Sequence, residues 1–128
     1  MPTPREPKAQ RDLAGLWPPF RAKVELLLAA LRAKHCDPVI VEARRTKERQ
    51  AWLYGVGRTH HIGQRPVTWT MKSRHLVGKA ADIISKSKGY DSPQFFAALK
   101  REALKLGLRD YRGETDFDAD RAHVQWGG

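Results

Sequence analysis

Apolar residues at Trp17, Phe20, Val24, Leu27, Leu28 and Leu31 recur at the spacing of one helical face. They predict a first helix within residues 12 to 37, its stripe turned into the core and Pro18-Pro19 suiting its opening turn. Asp37-Pro38 ends that segment, and Val39-Ile40-Val41 reads as a buried strand. Thr46 is the expected N-cap of a second helix through Gln50, Trp52, Leu53 and Val56, with Gly55 and Gly57 ending it. Residues 57 to 74 show no clear period and read as a long loop, a length more often functional than idle. Ala80-Ala81-Asp82-Ile83-Ile84 predicts a short buried strand on which Ala80 and Asp82 share a face. Ser85 to Gly89 is a polar loop, read as solvated. Asp91 or Ser92 caps a third helix that opens on Pro93, buries Phe95, Phe96, Leu99, Ala103 and Leu106, and stops at Gly107. Ala122 to Trp126 reads as a final strand.

This order predicts an α+β fold with helices packed on a small, mainly antiparallel sheet. A chain of 128 residues with 41% hydrophobic and 30% charged positions fits one globular domain, here 12–128 after a flexible, Pro-rich arm at 1–11. No apolar run is long enough to span a bilayer, and the first ten residues lack the apolar stretch of a secretory signal.

The single cysteine, Cys36, excludes an intramolecular disulfide and every multi-cysteine zinc site, and it reads as a partly buried structural thiol. A net charge of +10 and a pI near 10.2 imply attraction to polyanions. The 24 Lys and Arg residues form no concentrated stripe, and no nucleic-acid-binding signature is present. Nucleic acid is one candidate partner, made less expected by the missing signatures, and an anionic cell envelope explains the charge equally well.

Two stretches carry candidate chemistry. Ser73-Arg74-His75-Leu76-Val77-Gly78-Lys79-Ala80-Ala81-Asp82 and Asp120-Arg121-Ala122-His123-Val124-Gln125-Trp126 supply two imidazoles and a carboxylate for one metal, plus a second carboxylate three residues before the last imidazole. Catalytic zinc commonly uses three N or O protein ligands and keeps a fourth position open for water. A neighbouring carboxylate outside the ligand set can take that water's proton. His60 and His61 are competing imidazoles without a partner at a useful spacing. Asp116-Phe-Asp-Ala-Asp120 opens like a calcium loop, but Arg121 stands where glycine is needed and Gly127 where the bidentate Glu is needed.

The arrangement Ser-x-His-x-x-Gly-x-Ala-x-Asp followed by Asp-x-x-His-x-x-Trp resembles the zinc peptidases that cut peptidoglycan stem peptides. These include D-alanyl-D-alanine carboxypeptidases and dipeptidases and the L-alanyl-D-glutamate endopeptidases of phage endolysins; the hedgehog metal domain shares their fold. The resemblance spans roughly residues 13 to 126. It implies one zinc per chain held by His75, Asp82 and His123, with Asp120 as general base and later acid. Arg45-Thr46, Gln50, Leu53 and Gly57-Arg58-Thr59 resemble the endopeptidase branch. By that likeness Arg45 stabilises the oxyanion, and Ser73, Gln50 and Arg58 contact substrate, although Ser73 also reads as a plain turn residue and Arg44-Arg45 as a solvated pair.

The function so implied is hydrolysis of L-alanyl-D-glutamate bonds by a monomeric phage or prophage endolysin. It would be made in the host cytoplasm and act on the wall after release. A D-alanyl-D-alanine carboxypeptidase, a non-catalytic wall-binding module of the same fold and a basic nucleic-acid-binding protein are the alternatives. The roles of His60, His61 and Trp69 stay open.

Overall fold

A computed structural model describes residues 5–66, 73–110, 113, 115 and 122–127. In chain order the elements are α1 (Pro18–Ala33), β1 (Pro38–Glu42), α2 (Lys47–Gly55), β2 (Ala80–Ser85), α3 (Pro93–Lys105) and β3 (His123–Gln125). Short 3-10 turns occupy Leu13–Gly15 and Arg74–Val77. The strands form one sheet in the order β1-β2-β3, antiparallel throughout. The α+β architecture is the one expected.

α1 begins on Pro18 and Pro19 because residues at the first turn need no amide partner, and proline's fixed φ suits the start. It buries Phe20, Val24, Leu27, Leu28 and Leu31, the predicted stripe with one exception. Trp17 caps the helix instead, stays 37% exposed and packs edge-on against Trp126 at 5.1 Å. Ser92, rather than Asp91, caps α3 by accepting from Phe95 N, and α3 faces the core with Phe95, Phe96, Leu99 and Ala103. The two helices cover the sheet face presented by Ile40, Ala81, Ile83 and Val124. Apolar burial at about 25 cal/mol per Å² makes this shared core the main favourable term.

The opposite face of the sheet is polar, and one irregularity shapes it. Ile40 pairs with Ile83, yet Glu42 pairs with Asp82, so Val41 is an extra residue in β1. Such a bulge breaks the two-residue alternation and re-aims the side chains beyond it. Glu42 thereby joins Asp82 and His123, which are themselves register partners, in a row across the three strands.

Two stretches make hydrogen bonds that the sequence does not disclose. Ser85 to Gly89 is tied down by Asp37, whose carboxylate accepts from Ser85 Oγ at 2.7 Å and Ser87 N at 2.8 Å. Within the expected arm, Gln10 O accepts from Ala43 N at 2.6 Å, and Arg49 Nη1 donates to Glu6 Oε1 and Pro7 O. Cys36 packs partly buried against the core. No helix among the described residues is long and apolar enough to cross a membrane.

Candidate metal centre

His75 reaches the sheet from the 3-10 turn that precedes β2. Ser73 caps that turn by accepting from His75 N at 3.2 Å, and Gly78 ends it in the left-handed conformation at φ +70°. Only glycine fits there, since a Cβ would stand 2.8 Å from Gly15 O and 2.9 Å from Trp17 N. The turn is sewn to the loop after β1 twice: Arg45 N donates to His75 O, and His75 Nδ1 lies 2.7 Å from Ala43 O. These bonds hold the imidazole fully inside the protein, over Asp82.

Asp82 Oδ1 lies 3.3 Å from His75 Nε2 and 3.4 Å from His123 Nδ1, and the two rings meet nearly at right angles. One ligand atom from each residue falls within 4.8 Å of the others, and among the described residues this is the one such group of three. Ala43 O can only accept, so the proton of a neutral His75 sits on Nδ1 and Nε2 turns its lone pair inward. His75 Nε2 is buried without a hydrogen-bond partner, because its approach to Asp82 lacks hydrogen-bond alignment. His123 is arranged likewise, with Nε2 2.9 Å from Gln125 Oε1 and Nδ1 facing Asp82. Burial opposes a charge on Asp82, but His123 and His75 in their protonated forms donate to it and outweigh burial, holding the carboxyl well below the usual carboxylate range. Neutral, they turn lone pairs on it instead. Three electron-pair donors thus converge on one point, an arrangement that repels itself unless a cation sits among them. The set fits zinc: ligands about 2.0–2.2 Å from a tetrahedral ion stand about 3.3–3.6 Å apart. Outward ring nitrogens bonded to acceptors are the usual support of metal-binding histidines.

Arg45 lies at the edge of this group, its Nη2 4.0 Å from Asp82 Oδ2. The guanidinium is nine-tenths buried and anchored elsewhere: Nη2 donates to Glu42 Oε1 at 2.6 Å and Nη1 to Gln50 Oε1 at 2.8 Å. Its Nε is buried and has no partner. Gln50, read from the sequence as a substrate contact, is fully buried, and its Oε1 faces Arg45. Ser73 is the cap of the His75 turn. Arg58 donates to Tyr54 O and lies over the Tyr54 ring at 4.1 Å. His60 and His61 gather around Trp52, at 4.7 and 5.5 Å, and stand outside the three-residue group. Asp120, Trp69 and the Asp116–Asp120 stretch lie outside the described residues.

Sequence reasoning missed Glu42. Burial raises its pKa, but hydrogen bonds from Arg45 and Arg49 more than reverse that and keep it charged. A strand-end Glu carries no spacing signal that would mark it. Tyr90, 59% exposed, stacks on Phe96 with ring centroids 6.4 Å apart, and burial together with the fields of Asp82 and Glu42 pushes its hydroxyl pKa up.

No protein-family model matches the sequence, and no curated protein matches it. Solved structures do. The L-Ala D-Glu endopeptidase ChiX of Serratia marcescens aligns over 93% of this chain and 86% of its own, with 25% identity and a TM-score of 0.59. A variant of the vancomycin-resistance D,D-pentapeptidase VanY from a VanB-type cassette, in complex with Zn(II), aligns over 88% of this chain and 73% of its own, at 18% identity and a TM-score of 0.67. VanYB in complex with D-alanine-D-alanine aligns over 100% of this chain and 81% of its own, at 18% identity and a TM-score of 0.68. The chain has the fold of the zinc peptidoglycan peptidases.

Proposed function

We propose that this protein is a zinc metallopeptidase that hydrolyses peptidoglycan stem peptides, acting as an L-alanyl-D-glutamate endopeptidase of the phage or prophage endolysin kind. One observation carries the reading: His75, Asp82 and His123 aim three electron-pair donors at one point while the outward nitrogens of both rings are already bonded. The likeness to ChiX over most of both chains supports the endopeptidase branch.

Zinc held there would supply a Lewis acid that polarises the scissile carbonyl and acidifies the attacking water. The chain's own residues do the rest. Ala43 O and Gln125 fix the two imidazoles as neutral ligands, and the Ser73 cap with Gly78 fixes the turn that carries His75. Asp120, assigned on its motif, takes the proton from the attacking water and returns it to the leaving amine. Arg45 presents a permanent positive charge at the edge of the site, 4.0 Å from Asp82, suited to the oxyanion of the tetrahedral intermediate.

Mass spectrometry of purified peptidoglycan digested with the protein identifies the bond through its new termini. New L-alanine carboxyl and D-glutamate amino termini are expected. Release of terminal D-alanine alone would assign the carboxypeptidase reading instead, which the fold match to VanYB with D-alanine-D-alanine also supports. An unchanged digest from zinc-loaded protein would leave the wall-binding module. Substitution separates ligand from base. His123→Ala should lose zinc and activity together, whereas Asp120→Asn should keep zinc and the fold but lose ~10²–10⁴-fold in turnover. Near-normal turnover in Asp120→Asn at equal zinc occupancy removes the base from this scheme.

A further inference from the structure

Glu42 and Asp82 stand opposite each other on adjacent strands, two like charges in register. Such pairs are destabilising unless a cation lies between them. Arg45 does, but unevenly: Nη2 is 2.6 Å from Glu42 Oε1 and 4.0 Å from Asp82 Oδ2. Gln50 pulls the same way by holding Nη1 at 2.8 Å. Arg49 bonds the other oxygen of Glu42 through Nε, so the carboxylate is held from both sides and nearly enclosed. The bulge at Val41 is what brings Glu42 to this face at all.

We propose that Glu42 is a positioning residue that keeps Arg45 off Asp82, leaving the Asp82 carboxylate to the metal and the guanidinium's remaining N–H groups to the substrate. A guanidinium forks readily onto a carboxylate. Without Glu42, Arg45 needs to close a gap of little more than an ångström to pair with Asp82, and that ion pair competes with zinc for the same oxygens. This inference rests on the zinc site proposed above and deepens it. Glu42 touches neither metal nor substrate, so its effect must pass through Arg45.

The test is zinc affinity of metal-stripped protein, measured by competition with a chromogenic chelator, so that no peptidase activity is needed. Glu42→Gln should weaken zinc binding about tenfold, the lower end of the effect of residues that support metal ligands. In an Arg45→Ala background the same change should cost less than about threefold, by the same comparison. Equal losses in both backgrounds would show a field or folding effect and overturn the proposal, as would unchanged affinity in Glu42→Gln. Gln50→Met removes the second anchor without removing charge, and its loss of affinity should also vanish with Arg45→Ala. Thermal melts of each variant identify any that fail to fold; if Glu42→Gln does, the Gln50→Met cycle decides alone. Absence of zinc binding by the unaltered protein would sink the metal site itself, a result distinct from failure of the cycle.

Discussion

Gly78 concentrates several demands in one residue. Its φ of +70° favours glycine, its neighbours are backbone atoms that cannot yield, and it ends the turn that carries His75. Gly78→Ala should therefore cost at least about 1–2 kcal/mol for the left-handed backbone alone. Denaturant unfolding should show the loss, and zinc affinity should fall with it; an unaltered midpoint would mean the turn has room the structure does not show. At this scale the sequence was informative where chemistry demands a residue type. His75, Asp82 and His123 are legible as a set through the resemblance that pairs their two motifs, each half being weak alone, and the structure brings the three side chains together. Glu42 is not legible, because its place depends on one extra residue in a strand, and a run such as Val39-Ile40-Val41-Glu42 gives no sign of a bulge. Gln50 is read from the sequence as a substrate contact, and the structure adds a bond to Arg45 that no sequence pattern announces, since a polar residue's burial is decided by what packs around it.

Each element followed from periodicity where a face is apolar. α1 shows this, and its energetics can be checked within the helix. Leu27→Ala, fully buried, should cost about 2–5 kcal/mol, while Leu26→Ala, next to it but 59% exposed, should stay within about 0.5 kcal/mol. Similar losses at both positions in a urea melt would contradict the orientation of α1. Trp17 escaped the pattern because it caps the helix and finds its partner in Trp126, far away in sequence. The bonds of the Ser85–Gly89 loop escaped for a like reason: their anchor is Asp37, the residue before β1 and far away in sequence. Hydrogen bonds from Ser87 and Ser85 lower the Asp37 pKa from 3.8 to about 2. A folded-state pKa below the unfolded value gives stability that is present above about pH 4 and lost as pH falls toward 2. Asp37→Asn should flatten that part of the stability profile, read by thermal melts between pH 5 and 2 in roughly half-unit steps.

For the whole molecule, metal and charge set the testable behaviour. Zinc bound only by the folded chain stabilises it by mass action, about 2.7 kcal/mol when free metal is a hundred times the dissociation constant. Calorimetry with and without chelator should show a lower melting temperature in the stripped protein; identical traces would count against the site. The net charge of +10 should draw the protein to anionic walls at low ionic strength and release it as salt screens the attraction. Wall association that ignores salt would mean the basic surface serves something else.

The extra residue at Val41 also bears on which changes in length the chain tolerates. Deleting it would leave a strand that still looks ideal on paper, apolar and without interruption. The ladder with β2 would then run on without its irregularity, with Glu42 directly after Ile40 and so, by plain alternation, still on the face of Asp82. What would change is the local bend of β1, and with it the aim of the carboxylate that Arg45 and Arg49 share. Every substitution at Val41 keeps the count of residues and so keeps this geometry. Among related chains, then, position 41 should drift freely in identity, and a chain that lacks it should still carry its acid on the site's face.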